Sequence, residues 1–135
     1  MTPLLNIDVP DLDAAIAFYT QGLGFALSRR FDDEFAELRA GELLVYLLQK
    51  PAGSDPAPGA AARHYGRHWT PVHLDVRVDD VTAATERAIA AGATLESPPA
   101  AKRYGELAML ADPFGHGFCL IHLNDAGYDV FELQP

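Results

Sequence analysis

An internal repeat constrains the fold of this chain more than any other feature. Residues 4–11 align with residues 73–80, and from there both copies follow one plan. Each copy has an alternating apolar strand that runs into aspartate, an alanine-rich helical stretch, a glycine-led strand, and a hairpin that ends in an apolar strand. One such unit rarely buries its apolar face alone, so two units are expected to pair. The repeat therefore predicts an α+β fold of tandem βαβββ modules, paired about a pseudo-dyad around a concave mixed-sheet cavity.

The boundaries of the elements follow from caps and turns. Asp11 and Asp80 are good N-caps for helices over residues 12–21 and 81–91, and glycines follow both stretches. The predicted later strands are 25–31, 34–39 and 43–48 in the first copy, and 92–96, 107–110 and 117–123 in the second. The prediction is a single domain over 1–135, with module one at about 1–50, a linker at 51–69, module two at 70–123 and a tail at 124–135. Prolines and glycines in 50–62 predict a mobile connector.

Charge and cysteine content narrow the class of partner. The formal net charge is −9 and the pI is about 4.8, which opposes binding to nucleic acid. Cys119 is the single cysteine, so no intrachain disulfide is expected. The first residues lack the pattern of a signal peptide, and no apolar stretch is long enough for a membrane span. We therefore expect a cytoplasmic protein that binds neither nucleic acid nor membrane.

Three motifs carry a resemblance to a known family. They are VPDLDAAIAFY at residues 9–19, LGF at 23–25 and ADPFG at 111–115, and they occur within the repeated strand-helix-strand-strand-strand order. Together they resemble the vicinal oxygen chelate superfamily, over about residues 3–123. That superfamily includes glyoxalase I, bleomycin-resistance proteins, fosfomycin-resistance transferases and extradiol dioxygenases. The resemblance implies a small-molecule site, but the fold alone does not specify the chemistry.

The resemblance also implies where a metal would bind. In metal-dependent members each module offers one ligand from its first strand and one from its last, and the corresponding positions here are Leu4, Tyr46, His73 and Cys119. Leucine has no donor atom, tyrosine binds a metal only as phenolate, and a thiolate suits zinc better than magnesium or manganese. We therefore expect no standard metal centre and no other cofactor. A divalent metal held by His73 and Cys119 is the alternative.

Strand alternation predicts which side chains line the cavity. If Leu5, Ile7 and Val9 face the helix, then Leu4, Asn6 and Asp8 face the cavity, as do His73, Asp75 and Arg77 in the second copy. Asp8 and Arg77 occupy equivalent positions and are expected to meet. Their pairing is either a structural ion pair between modules or part of a clamp in which Arg77 binds a ligand carboxylate. Asp8, Asp75 and Arg77 are the candidate catalytic residues.

The histidines and Cys119 have competing interpretations. His64 and His68 lie near His73, but Gly66 and Pro71 prevent one helix face from presenting all three to a metal. His68 and Trp69 instead suit a cavity rim that contacts an aromatic ligand. Cys119 is either a small apolar residue of the buried core or a metal ligand. His116 is expected to be solvated, and His122 to point towards the helix side or the edge of the sheet. The predicted ligand-binding set is Asn6, Asp8, Tyr46, His68, Trp69, His73, Asp75, Arg77 and Cys119.

Three functions fit these residues. The first is a metal-independent protein of the bleomycin-resistance type that binds an acidic or amide-bearing aromatic compound, although the acidic composition also suits a cationic ligand. The second is a metal-dependent lyase, isomerase or dioxygenase of the glyoxalase type that uses His73. The third is a metal-free isomerase in which Asp8 or Asp75 is the base beside Arg77. Unpaired sheet edges and apolar residues in the tail predict a homodimer.

Overall fold

Each half of the chain forms one four-stranded mixed sheet with a helix packed against it. In this computed structural model, which describes residues 1–134, the two units are Met1–Gly66 and Arg67–Pro135. Both units have the order strand, helix, strand, strand, strand. The predicted α+β fold of two βαβββ modules is therefore confirmed.

The first unit contains β1 to β4 and the helix α1. Its elements are β1 (Leu5–Val9), α1 (Leu12–Ala17), β2 (Ala26–Arg30), β3 (Phe35–Ala40) and β4 (Leu43–Gln49). The strand order is β1-β4-β3-β2, with β1 parallel to β4 and the other pairs antiparallel. The carboxylate of Asp11 accepts a hydrogen bond from the backbone N–H of Ala14 at 3.0 Å and caps α1. The predicted helix over 12–21 continues past α1 as a π-helical turn, Phe18–Gly22.

The core of the first unit lies between α1 and one face of this sheet. Leu12 and Phe18 are buried on the helical side, and Leu38, Val45 and Leu47 are buried on the sheet side. Because successive strand residues point to opposite faces, the residues between them face away from α1. We call this second face the open face of the first sheet.

The second unit repeats the arrangement with β5 to β8 and α2. Its elements are β5 (Leu74–Arg77), α2 (Val81–Ala90), β6 (Thr94–Lys102), β7 (Gly105–Ala111) and β8 (Gly117–Leu123), followed by a 3₁₀ helix (Gly127–Phe131). The strand order is β5-β8-β7-β6. The sequence predicted that β6 would end near residue 96, but the strand runs on through Pro98 and Pro99. A proline lacks the N–H of a sheet ladder, and β6 tolerates two because it is an edge strand with shifts in register.

Two segments outside the sheets make defined contacts. The connector over 50–62 was predicted to be mobile, but its backbone is paired: Gly53 N–H donates to Arg63 O and Arg63 N–H donates to Ser54 O, both at 2.8 Å. The rings of the tail pack within the second unit. The ring of Tyr104 lies 5.4 Å from that of Tyr128 and 5.9 Å from that of Phe131. Within residues 1–134, no helix has the length and apolar character needed to cross a membrane.

Candidate functional site

The open face of the first sheet carries two neighbouring rows of side chains. Strand register places Asn6 beside Tyr46, Tyr46 beside Glu37, and Glu37 beside Arg29, and we call these four residues the polar row. The next row contains Asp8, Leu48, Phe35 and Phe31, and we call it the aromatic row. The first sheet therefore presents polar and aromatic groups side by side.

Glu37 is the centre of the polar row. Its side chain is 2% exposed and accepts four hydrogen bonds. Arg29 donates from Nε at 3.1 Å and from Nη2 at 2.8 Å, Tyr46 donates its hydroxyl at 2.7 Å, and Ser28 donates its hydroxyl at 2.9 Å. A buried carboxylate is costly unless it is paired and hydrogen-bonded, and this one is both.

These contacts shift the pKa values of both Glu37 and Tyr46. The hydrogen bond from Arg29, together with those from Tyr46 and Ser28, lowers the pKa of Glu37 to about 2. The hydrogen bond to Glu37, reinforced by burial, raises the pKa of Tyr46 above its ordinary value. Tyr46 is one of the four positions at which a metal ligand was considered. Its hydroxyl proton is held by Glu37, so the phenolate form that a metal requires is disfavoured.

Neither Glu37 nor Arg29 was predicted from the sequence to be a site residue. Glu37 could have been found from the tight turn at Gly41, because pairing β3 with β4 around that turn places Glu37 opposite Tyr46. The pairing with Arg29 could not be found in the same way. A shift in register between Leu27 and Arg29 changes the alternation of β2, and both Ser28 and Arg29 reach Glu37.

The lowered pKa of Glu37 predicts a specific loss of stability in acid. Because the folded pKa lies below the unfolded one, the charged carboxylate stabilises the fold above about pH 4.5, and this contribution disappears as the pH falls towards about 2. Urea unfolding across that range should show the parent losing stability relative to Glu37→Gln, which has no charge to titrate. A difference between the two proteins that does not change with pH would contradict the role given to the Glu37 charge.

Asp8 has its ion-pair partner in the loop after β4. Arg63 donates from Nε to Asp8 Oδ2 at 2.7 Å, and its Nη1 donates to Ser54 Oγ and to the carbonyl oxygen of Asp55. Arg63 is only 16% exposed, so the pair is partly shielded from water. From the sequence, Asp8 was predicted to meet Arg77, and residue 63 was assigned to the linker. Arg63 reaches Asp8 because this loop folds back on itself and brings its arginine to the end of β1.

The second sheet brings together three of the predicted site residues. Potential ligand atoms of His73, Asp75 and Cys119 all lie within 4.8 Å of one another. The register of β5 against β8 places Asp75 beside Cys119, and His73 Nε2 lies 3.2 Å from Asp75 Oδ1. We call these residues the second-sheet triad. All three were predicted from the sequence as ligand-binding residues, and of the three only His73 and Cys119 were considered as metal ligands.

The chemistry of the triad differs from that of a hard-metal site. Burial raises the pKa of the Cys119 thiol to about 11, with further contributions from the charge of Asp75 and from the hydrogen bond that the thiol donates to its carboxylate. The thiol is 3% exposed and remains protonated at neutral pH. Magnesium and manganese prefer oxygen ligands, whereas a thiolate with imidazole is typical of zinc. Leu4 supplies no ligand and Tyr46 is held as a phenol, so the four family positions do not fit a hard divalent ion.

Trp69 lies next to the triad at the start of the second unit. Its ring centroid is 4.8 Å from that of His73, and the guanidinium carbon of Arg67 lies 5.3 Å from the indole. Arg67 also forms a bidentate ion pair with Glu96 at 2.5 and 2.7 Å. A side chain at Gly117 would meet both Arg67 and Trp69 within 3 Å, so glycine at that position permits their close approach to β8. His68, predicted to lie on the rim with Trp69, is exposed, as is His64.

The remaining candidates have other surroundings. Arg77 lies at the end of β5 and is exposed. His122 pairs in register with Glu106 of β7, and its Nδ1 lies 3.1 Å from the carbonyl oxygen of Val78, the residue after β5. His116 was expected to be solvated, but its Nδ1 lies 2.9 Å from Asp112 Oδ2 and its side chain is half-buried. The turn formed by residues 112–115 brings the two side chains together.

The chain is similar in sequence and in structure to proteins of the glyoxalase type. The family model of the glyoxalase-like domain matches residues 5–121. A glyoxalase/bleomycin resistance protein/dioxygenase family enzyme from Burkholderia phytofirmans PsJN is 26% identical, with a TM-score of 0.68, and the match covers 90% of this chain and 97% of that one. A glyoxalase-related enzyme from Fulvimarina pelagi is 23% identical, with a TM-score of 0.70 and coverage of 90% and 88%. TioX from Micromonospora sp. ML1 is 22% identical, with a TM-score of 0.66 and coverage of 90% and 99%. No curated protein sequence matches the chain significantly.

Proposed function

Because this chain belongs to the glyoxalase-like domain family, we propose that it binds a small organic molecule at the polar and aromatic faces of its sheets, without the standard four-ligand metal centre. The structural neighbours include proteins of the glyoxalase, bleomycin resistance and dioxygenase type, in agreement with the resemblance found in the sequence. One fold supports many chemistries, so the proposal depends on the side chains of this chain.

The hydrogen bond from Tyr46 to Glu37 is the observation that carries the proposal. Tyr46 stands at a position where a metal-dependent relative would present a ligand. Its hydrogen bond to Glu37 holds it as a neutral phenol. At the first family position, Leu4 has no donor atom. The first unit therefore offers an aliphatic side chain and a neutral phenol at these two positions, which suits direct contact with an organic ligand better than metal binding.

A thermal-shift screen tests ligand binding. The panel would contain aromatic acids, glutathione adducts and glycopeptide antibiotics, each added to the intact chain. A compound that binds only the folded protein raises its melting temperature as the compound concentration rises. We expect at least one class to do so. If every class leaves the melting temperature unchanged at millimolar concentration, small-molecule binding of this kind is contradicted.

Titration with manganese or nickel tests the metal-independent part of the proposal. We expect calorimetry to show no site tighter than about 10 μM, which corresponds to roughly 7 kcal/mol of binding free energy. The physical reason is that the first unit supplies no metal ligand at either family position. Submicromolar binding that is abolished in His73→Ala would contradict this expectation.

The second-sheet triad favours one alternative function. His73, Asp75 and Cys119 are three different ligand types within 4.8 Å, and three protein ligands with an open fourth position are typical of catalytic zinc. A metal-dependent lyase, isomerase or dioxygenase that uses His73 would require Cys119 to lose its proton as the metal binds. Zinc binding that releases protons, and that fails in both His73→Ala and Cys119→Ser, would support this alternative.

We also propose that the protein is a homodimer in solution. Tyr128, Phe131 and Leu133 remain exposed after the tail has packed on its own unit, and apolar groups in such a position are often covered by a second subunit. Light scattering at micromolar concentration should report about twice the chain mass of 14.6 kDa. A monomer at that concentration would contradict the prediction, and truncation after Asn124 should weaken the dimer if the tail takes part.

The cellular setting is proposed on the sequence alone. The net charge of −9 favours partners other than nucleic acid, and the single cysteine agrees with a cytoplasmic location.

A further inference from the structure

Arg29 on the open face of the first sheet is held in a fixed orientation while most of its side chain stays accessible. Its Nε and Nη2 both donate to the buried carboxylate of Glu37, yet the side chain is 62% exposed. Nη1 donates to neither carboxylate oxygen of Glu37. A guanidinium fixed along one edge loses little further conformational freedom when its other donors bind a ligand.

An aromatic surface begins directly beneath this guanidinium. The Arg29 carbon Cζ lies 4.9 Å from the ring centroid of Phe31, whose side chain is 44% exposed. The Phe31 ring is 4.5 Å from that of Phe35, and the Phe35 ring is 5.6 Å from that of Tyr46. The rings pack on one another in turn, tilted by 31° and 38°, and Phe31 is the exposed end of the series. The exposed part of the Phe31 ring offers contact surface to an aromatic ligand.

We propose that Arg29 and Phe31 bind an aromatic carboxylic acid, with the carboxylate at Arg29 and the ring against Phe31. This inference rests on the proposed function and specifies its ligand class. The local charges favour an anion over a cation, because a cationic ligand would meet the guanidinium that already lies over Phe31. The formal charge of −9 for the whole chain does not attract an anion, so the fixed donors of Arg29 are needed to select one.

Three probes with the same ring system separate the contributions of charge and ring. They are 1-naphthoate, the neutral 1-naphthamide and 1-naphthylmethylammonium, each titrated calorimetrically into the full chain at low ionic strength. We expect naphthoate to bind at least about tenfold tighter than naphthamide, because a charge-assisted hydrogen bond contributes about that factor. The ammonium probe should bind most weakly of the three.

Two variants and one control assign the effect to named residues. Arg29→Gln should reduce naphthoate binding to the level of naphthamide. Phe31→Leu should weaken both of these probes while leaving the ion pair of Arg29 with Glu37 in place. Arg39→Gln, which removes another exposed arginine of the same sheet, should bind naphthoate like the parent. A thermal melt of each variant would establish that it is folded.

Each possible outcome bears on one proposal or both. Equal binding of naphthoate by the parent and by folded Arg29→Gln would overturn the inference, as would tighter binding of the amide or the ammonium probe. If none of the three probes binds but another compound class raises the melting temperature, the inference fails and the proposed function stands. If no probe and no panel compound binds, both fail.

Discussion

Replacing Gly105 with alanine should destabilise the protein by about 3 kcal/mol or more. Gly105 begins β7 with φ of +149°, a conformation that side-chain-bearing residues rarely adopt. An added Cβ would overlap the carbonyl oxygen of His122 on β8 and lie 2.8 Å from the carbonyl carbon of that residue. Because both obstructing atoms belong to the backbone of a paired strand, a change of rotamer cannot relieve the clash. Chemical denaturation of the parent and the variant would measure the loss.

Gly41→Ala is the matched control for this substitution. Gly41 also has a positive φ, +59°, but an added Cβ would meet nothing within 4 Å. Its cost should therefore be only the conformational strain of about 1 kcal/mol. If the two substitutions cost the same, the close approach of β7 to the backbone of His122 is not a constraint on the fold.

Replacing Asp112 with alanine should cost about 3 kcal/mol, because it leaves buried donors without an acceptor. The Asp112 side chain is 0% exposed. Its Oδ1 accepts from the backbone N–H of Phe114 at 2.8 Å and from that of His116 at 2.9 Å, and the His116 ring nitrogen Nδ1 lies 2.9 Å from Oδ2. These contacts shape the turn that leads into β8, the strand that carries Cys119. Denaturant unfolding would show the loss directly.

Asp112→Asn separates the turn geometry from the charge. Asparagine keeps Oδ1, so both backbone N–H groups retain an acceptor, while the negative charge beside the His116 ring is removed. We expect a cost of about 1 kcal/mol, which is typical of one altered hydrogen bond. A loss as large as that of Asp112→Ala would mean that the charge of Asp112, rather than its hydrogen bonds to the turn, stabilises this part of the fold.

The fold of each unit was predictable because local signals agree with one another. Asp11 and Asp80 cap their helices as expected, and the predicted strand over residues 117–123 coincides with β8. Alternation of apolar residues identified the buried side of β1, where Val9 is fully buried. The length of β6 was not predictable in the same way. Its two prolines suggest the end of a strand unless its position at the edge of the sheet is already known.

The candidate site was only partly predictable, because it depends on strand register and loop closure. Asp75 and Cys119 were both singled out, and register places them side by side. Glu37 was missed because a charged residue in an alternating strand is usually solvent-exposed, and only the pairing of β3 with its neighbours shows that it is buried. Arg63 was missed as the partner of Asp8 because 55 residues separate them in sequence.

The metal content of the purified protein is the most direct test of the central claim, that this chain binds its ligand without the standard metal centre. Elemental analysis would be carried out on protein that has been neither exposed to chelators nor supplied with added metal. We expect manganese, iron, nickel and zinc each to be present at far less than one ion per chain, because Leu4 offers no ligand, Tyr46 is held as a phenol, and a metal would have to displace the proton of the Cys119 thiol, whose pKa is about 11. One tightly held ion per chain, absent from His73→Ala prepared in the same way, would contradict the account.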